Sequence, residues 1–475
     1  MEEKIEKKWI KIRLETKVRE FNSKMLLIYH LLEKGYGVII SENIEIYPKG
    51  LSFLNSVYIE IEQILKKLKR QGDKIVVLHE EGLVLDEKYY ESTNPKKNLK
   101  LLDYFFCYGR YQEKLTRKYY LEDDNKKIVV TGNPRNNILN DNFKILDEDN
   151  IKKIKERHGK FILYVSNGPN TPKEIKSFNK EERYSSRLKT FKELKLVKSV
   201  EDEKEFKMRF EYYEKILMEV LELLKKIEGT KLKVVVRPHP SESKEFWEKI
   251  FENSKNVKVV YEGVLSEWIK ASELVIQNGC TSSIESLIIG KKCISFKPIY
   301  DPKWDIEIVD KTSLNIDTQD ELLKLLIDNW DTNYININYD EKSYKNFLEQ
   351  YISFYNKDES VKQIINYIEN LNIEKKYFNY YIFSFYKLKK KLKIKLALLL
   401  YPLLKVLNIK KIINKINCYK NGEIYSLDKF GKIDEKDFID LIKKYNKIYE
   451  KTLEINIKKI GKRAFILTNK KENEL

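Results

Sequence analysis

The sequence predicts an α/β protein of two successive domains with parallel sheets, and three observations carry that expectation. Short, almost wholly apolar runs recur at Val38 to Ile40, Ile75 to Leu78, Ile128 to Val130, Phe161 to Ser166, Lys233 to Val236, Val257 to Val260, Leu274 to Ile276 and Cys293 to Phe296. Stretches with helical apolar spacing separate them. A polar stretch, Leu146 to Asn150, divides the series in two. Strands buried on both faces lose the polar and apolar alternation of a half-exposed strand, so such runs separated by helices fit parallel sheets covered on each side.

In chain order, Phe21 to Lys34 places Met25, Leu26, Ile28, Tyr29, Leu31 and Leu32 at helical spacing, with Gly35 to end the helix. Leu51 to Leu68 reads as a second apolar helix, broken at Gly72-Asp73 before the strand at Ile75. The first domain is expected over 15–150. A helix through Arg157 opens the second, expected over 155–330, with a long amphipathic helix from Phe206 to Ile227 and shorter ones at Ser266 to Ala271 and Ser283 to Ile289. Helices in 331–371 would close or cross back over the domains. The end, 421–475, reads as a small α+β appendage, and no repeat of fixed period is present.

With 475 residues, 42% hydrophobic and 35% charged, the chain has room for several domains and is neither collagen-like nor wholly disordered. Its four cysteines, Cys107, Cys280, Cys293 and Cys418, form no CxxC pair, which speaks against a zinc knuckle or disulfide framework and for a reducing cytoplasm. Met1 to Arg13 lacks the apolar core of a signal peptide, and no run reaches the roughly 20 apolar residues that span a bilayer. The formal charge is +18, and 387–418 holds ten lysines without an acidic residue around the apolar stretch Leu396 to Leu407, which contains Pro402. That segment suits adsorption to an anionic membrane surface. Two other readings are a packed helix with basic ends and, ranked last, a nucleic-acid contact; no recognised nucleic-acid module accompanies it, so no nucleic acid is expected as a partner.

Three motifs follow expected strands, where parallel sheets bind ligands. His79-Glu80-Glu81-Gly82 offers paired carboxylates, one able to act as a general base, and a glycine to turn the chain. Solvated Glu-Glu pairs are common in a chain with 73 acidic residues. Arg237-Pro238-His239-Pro240-Ser241-Glu242 fixes one of only four histidines between prolines, as suits contact with a phosphate; a loop-capping histidine is the plain alternative. In the third, Gln277 to Glu285, residues Asn278, Gly279, Thr281, Ser282 and Ser283 gather amides and hydroxyls at a helix start, an anion site. Ser282-x-x-Glu285 also fits a capping box, which needs no ligand. Walker A and strand-linked GxGxxG motifs are absent. Asp147-Glu148-Asp149 has the DxD form of metal-dependent transferases but lies in the polar linker, where solvation is expected, so neither a catalytic metal nor a cofactor is expected.

The order acidic-acidic-Gly, His-Pro, Ser-Ser resembles bacterial sialyltransferases and related transferases of CMP-activated ulosonic acids. Thr131-Gly-Asn-Pro-Arg135, Arg237 to Pro240 and Thr281 to Lys291 look similar to bacterial surface-carbohydrate biosynthesis proteins, and capsule Kdo transferases have a related layout. The resemblance covers about 20–310 and implies a GT-B architecture, two Rossmann-like domains facing a cleft. It implies Glu80 as acceptor-side base, Glu81 as supporting acid, Gly82 as the turn, and His239, Ser282 and Ser283 on the CMP phosphate. Arg237 would add positive charge, Glu285 would cap or meet a ribose, and Asn133 and Arg135 would line the cleft. Glu-Glu in place of the sialyltransferase aspartate leaves base and nucleophile both open. The implied partners are a CMP-sugar donor and a glycan or lipid-linked glycan acceptor at the inner face of the cytoplasmic membrane. The alternatives are a polyol-phosphate transferase of the CDP-glycerol type and a non-catalytic, membrane-associated assembly subunit.

Each lysine near an anionic surface contributes about 1 kcal/mol. Full-length protein is therefore expected to co-sediment with anionic vesicles, less so as salt rises, and deletion of 387–418 should remove most of that binding. Equal binding to neutral vesicles would refute the membrane reading.

Overall fold

The computed structural model describes residues 5–44, 47–80, 83, 90, 94–119, 127–172, 177–193, 196–331, 337–378, 432–461 and 463–470. The basic segment 387–418, and Glu81 and Gly82 of the first motif, lie outside them. The chain divides into two compact units, Met1–Ile138 with Tyr351–Leu475, and Leu139–Gln350. Both are Rossmann-like α/β units, the fold class expected.

The first unit is built on β1 (Glu6–Arg13), β2 (Gly37–Ser41), β3 (Leu51–Leu54), β4 (Lys74–Leu78), β5 (Tyr104–Cys107) and β6 (Ile128–Val130), with the long helix Lys17–Glu33 between β1 and β2. The strand order is β2-β1-β3-β4-β5-β6, all parallel. Because β2 and β3 flank β1 on opposite sides, the winding reverses there, and the carboxyl ends of β1 and β3 form a topological switch point.

β5 went unassigned from the sequence, and two further strands of this sheet differ from the expectation. Leu51 to Leu68 is not one helix: Leu51–Leu54 is a fully buried strand, and the helix is Glu62–Arg70. An apolar run this short fits either state by periodicity alone. The other is β1, hidden by its charge. Trp9, Ile10, Lys11 and Ile12 are all fully buried, and Lys11 Nζ lies 2.5 Å from Asp73 Oδ2 with both side chains at 0% exposure. Asp73 also accepts from the Gly50 amide at 2.8 Å and the Ser52 hydroxyl at 3.1 Å, which locks β1 to β3 and to the start of β4.

Later residues return to this unit. After the helix Glu359–Glu369, β13 (Lys375–Tyr377) runs antiparallel to the start of β1. Part of the expected appendage enlarges the sheet: β14 (Ile455–Gly461) and β15 (Ala464–Asn469) form an antiparallel hairpin, and β15 pairs with β2. The helix Glu435–Tyr449 packs on Lys17–Glu33 through the rings of Phe438 and Phe21, 5.2 Å apart, and a 2.7 Å bond from the Tyr445 hydroxyl to the Asn22 carbonyl. Gly132, at φ +70°, is required because a Cβ there would strike the Ser353 carbonyl.

In the second unit, β7 (Ile162–Val165), β8 (Val234–Arg237), β9 (Val257–Val259), β10 (Leu274–Gln277), β11 (Cys293–Phe296) and β12 (Leu314–Ile316) form a parallel sheet. The order is β12-β11-β10-β7-β8-β9, with its switch point between β7 and β10. Ile162, Tyr164, Val234, Val236, Leu274 and Ile276 face one core, which takes in the helix Val200–Ile227; Leu163, Val165, Val235 and Val275 face the other, against Leu265–Ala271. Both faces are covered, which is why these strands read as continuous apolar runs. Asp147 is not solvated: it pairs with Lys270 at 2.8 Å, both about 10% exposed, just before the helix Glu148–His158.

Truncating one partner of a buried ion pair leaves the other charge uncompensated. Lys11→Ala is expected to cost about 3–5 kcal/mol in chemical denaturation. A loss below about 1 kcal/mol would show that β1 does not depend on the pair.

Candidate functional site

At the carboxyl ends of the first sheet, three loops bring charge into a buried space. Lys24, on the helix after β1, donates to the Arg13 carbonyl at 2.7 Å and lies 2.6 Å from Glu20 Oε2 and 3.5 Å from Glu80 Oε1. Arg19 Nη2 meets the other Glu20 oxygen at 3.0 Å. Glu80 follows β4; its amide donates to the Asn55 carbonyl after β3 at 3.1 Å, and its own carbonyl accepts from the Tyr108 hydroxyl at 3.1 Å. Asn55 in turn donates to Glu15 at 3.0 Å.

The two carboxyls on Lys24 are pushed apart. Burial raises the pKa of Glu80, with Lys24 opposing, Glu20 adding to the rise, and Arg19 and Arg135 opposing. For Glu20, burial also acts upward, but Lys24, Arg19 and the Glu15 amide together outweigh it and leave the group below its usual value. Divergent carboxyls in one cluster are how proteins assign a permanent anion and a proton acceptor. Sequence reasoning placed Glu81 in the neighbouring role; among the described residues the carboxylate that raises Glu80 is Glu20. Asn133 is a helix cap, accepting from the Arg135 amide at 2.8 Å, so its side chain has a local structural task.

In the second unit the His-Pro loop and the β10 loop stand on one sheet edge. His239 is exposed, and its Nδ1 lies 3.2 Å from the Ser241 amide and 2.7 Å from the Ser241 hydroxyl. A backbone N–H only donates, so Nδ1 accepts, and in the neutral ring this network assigns the proton to Nε2. His239 can thus offer an N–H to an anion without being charged. Arg237 is used differently from the expectation. Its guanidinium donates to the carbonyls of Glu262 at 2.5 Å and Gly263 at 2.7 Å and lies over Trp268, so it holds a loop. Burial lowers its pKa, with Glu267, Glu285 and Glu262 opposing.

The β10 loop corrects the capping-box expectation. The helix is Ser282–Ile289, the cap position is Thr281 in helical geometry, and no side chain caps it. Ser283 is fully buried with its hydroxyl 3.2 Å from that of Thr312, and the buried Ser282 hydroxyl lies beside the Cys280 thiol. The Ser283 hydroxyl is therefore turned to Thr312, whereas the Ser282 hydroxyl has no hydrogen-bond partner among the described residues. What the loop offers is backbone. Amides of Ser283 and Ile284 bond back to Cys280 and Thr281, and that of Cys280 to Gln277 Oε1. Those of Gly279 and Thr281 carry no hydrogen bond among the described residues, and that of Ser282 meets only the Cys280 thiol, a weak acceptor. Gly279, at φ +74°, turns the chain so that this is possible. Successive amides at a helix start make an anion site.

Sequence reasoning named Asn278 as an anion-site candidate but missed Tyr164, Asn167 and Glu242, which hold these loops. Asn278 Oδ1 accepts from the Tyr164 hydroxyl at 2.7 Å and the Asn167 amide at 3.4 Å, while Asn167 Nδ2 donates to the Gly279 carbonyl at 2.7 Å. Glu242, 1% exposed, accepts from the His239 amide at 2.6 Å, Thr171 at 2.8 Å, Ser166 at 3.0 Å and Trp247 Nε1 at 3.3 Å. A glutamate three residues after the histidine at a strand end was the available signal. Among the described residues there is no cluster of three or more His, Cys, Asp or Glu able to hold a metal, and no helix long and apolar enough to cross a membrane.

No protein-family model matches the chain, and no curated protein matches it. Solved structures with some likeness include UDP-GlcNAc 2-epimerase from Methanocaldococcus jannaschii in complex with UDP-GlcNAc and UDP, at 14% identity over 76% of this chain and 100% of that one, TM-score 0.45. UDP-GlcNAc 2-epimerase from Neisseria meningitidis shows 13% identity over 76% and 99%, TM-score 0.45. A substituted form of the wall teichoic acid polymerase TagF, soaked with CDPG, shows 15% identity over 76% and 88%, TM-score 0.44. Likeness at this level bears on neither substrate nor reaction.

Burial pushes the Glu242 carboxyl up to about 7 despite the hydrogen bonds it receives. A raised carboxyl contributes stability that is present below the ordinary value of 4.5 and lost as pH rises through about 7. Wild type should therefore lose about 3 kcal/mol relative to Glu242→Gln between those limits in pH-dependent denaturation. Parallel curves would contradict a raised carboxyl.

Proposed function

We propose that this chain is a glycosyltransferase that moves a CMP-activated ulosonic acid onto a hydroxyl of a surface-glycan acceptor. The observation that carries the reading is the pairing, on one sheet edge, of a histidine whose Nδ1 accepts from the Ser241 amide, which in the neutral ring assigns the proton to Nε2, with the uncapped amides of Gly279, Thr281 and Ser282. Neutral N–H donors at the phosphodiester of a CMP-sugar stabilise the charge that develops as it becomes the monoester of departing CMP. In the reaction proposed, the acceptor oxygen bonds to the anomeric carbon and the bond from that carbon to the phosphate oxygen breaks. CMP leaves with the electron pair, and the hydroxyl proton passes to Glu80. A raised pKa makes a carboxylate a stronger proton acceptor than an ordinary one.

The test is a donor panel that includes CMP-sialic acid, CMP-Kdo and CDP-glycerol, run on wild type and two variants. A CMP-ulosonic acid should turn over, His239→Ala should lower turnover at least about tenfold, and Glu80→Gln should abolish transfer while calorimetric CMP affinity stays within about twofold. Turnover of CDP-glycerol alone would replace the donor assignment. Collapse of CMP affinity in Glu80→Gln would remove Glu80 from the acceptor side.

A further inference from the structure

Three loops meet at the carboxyl edge of the second sheet, and one side chain touches two of them. Glu242 Oε2 takes the His239 amide, at 2.6 Å; Oε1 takes Thr171, Ser166 and Trp247 Nε1, at 2.8, 3.0 and 3.3 Å. Ser166 and Thr171 belong to the loop after β7. That loop is also stitched to the His-Pro loop by backbone, the Ser243 amide donating to the Thr171 carbonyl at 2.6 Å. Further along the same loop, Asn167 holds Asn278 and Gly279 of the β10 loop. The path from His239 to the anion-facing amides therefore runs through the Glu242 carboxylate and the β7 loop without a break. Gly168 shows how closely this is fitted: a Cβ there would lie 2.5 Å from Glu242 Oε1.

We propose that Glu242 is the positioning residue of the anion site, its carboxylate holding the His239 loop in register with the β7 and β10 loops so that the His239 Nε2–H and the Gly279, Thr281 and Ser282 amides address one anion. This rests on the phosphate reading of the preceding section for the identity of the anion, but the register itself does not. The Ser166 and Thr171 hydroxyls can turn to accept, but the His239 amide on Oε2 and the Trp247 indole N–H on Oε1 can only donate, so the site calls for an acceptor at both atoms, which an ionised carboxylate is and a carboxamide is not. With Gln at 242, one of the two terminal atoms becomes an NH2. It faces either the His239 amide or the Trp247 N–H, and a like-facing pair of donors breaks the register that the carboxylate keeps between the two. His239 then loses the backbone geometry that brings the Ser241 amide to Nδ1, and the ring is free to exchange tautomers.

The experiment uses the full chain, labelled with 15N-histidine, and reads His239 among four histidines, assigned by its loss in His239→Ala. Wild type should show the Nε2–H tautomer in the neutral ring, and Glu242→Gln an averaged one. Gly168→Ala, which presses on the same carboxylate from the other side, should reproduce that change, and it serves if Glu242→Gln does not fold. Unchanged ring signals in folded Glu242→Gln, or in Gly168→Ala when it is the folded variant, overturn the proposal. CMP affinity gives the second arm. Glu242→Gln should weaken CMP at least about tenfold in wild type but less than about twofold on a His239→Ala background, because both changes remove one unit. Equal losses in both backgrounds would mean Glu242 does not act through His239 and would also overturn the proposal. Absence of CMP binding in wild type, with the ring signature altered as expected, would instead overturn the donor reading and leave the positioning role standing.

Discussion

A single buried carboxylate sets the geometry of the second unit's chemistry. Glu242 receives four hydrogen bonds at a sheet edge where every neighbour is a donor, and the loops after β7 and β8 have no other side chain that joins them so directly among the described residues. Burying a charge is unfavourable, as its raised pKa records, and the bonds offset only part of that cost. Such a group contributes orientation more than stability. The strands fix where the loops begin, and the carboxylate fixes how they lie.

The first unit handles charge by a different route. Its sheet tolerates a fully buried lysine because Asp73 neutralises it and finds two further donors. At the carboxyl ends, Lys24 stands between two glutamates and cannot serve both equally. It holds Glu20 ionised at 2.6 Å, and at 3.5 Å it only moderates the rise that burial imposes on Glu80. One cation thus yields two carboxyls of different character, which the adjacent glutamates of the sequence motif did not by themselves imply.

Much of the fold was legible because parallel strands buried on both faces are short apolar runs, and eight such runs stand at or beside strands. What failed has physical causes. β1 carries Lys7, Lys8, Lys11 and Arg13, and only its pairing with a residue 62 positions away makes it a central strand. Leu51 to Leu54 is too short for its periodicity to separate strand from helix. At the site, the motif positions His239, Glu80 and the β10 loop were readable from strand-end context. The placements of Ser283 and Arg237 were not, since a hydroxyl can turn to a neighbour and a guanidinium can be taken by nearby carbonyls. Glu20, Lys24 and Asn167 act through contacts that no local spacing reveals, and for Glu242 the spacing from His239 shows one contact of four.

The central claim is that the His-Pro and β10 loops bind the phosphate of a cytidine nucleotide. Hydrogen exchange of the full-length chain with and without saturating CMP tests it most directly. The account predicts slower exchange in peptides covering 237–243 and 277–286, centred on the amides of Gly279, Thr281 and Ser282, with little change around Glu80. Protection confined to other segments, or none at a concentration where calorimetry shows binding, would contradict it.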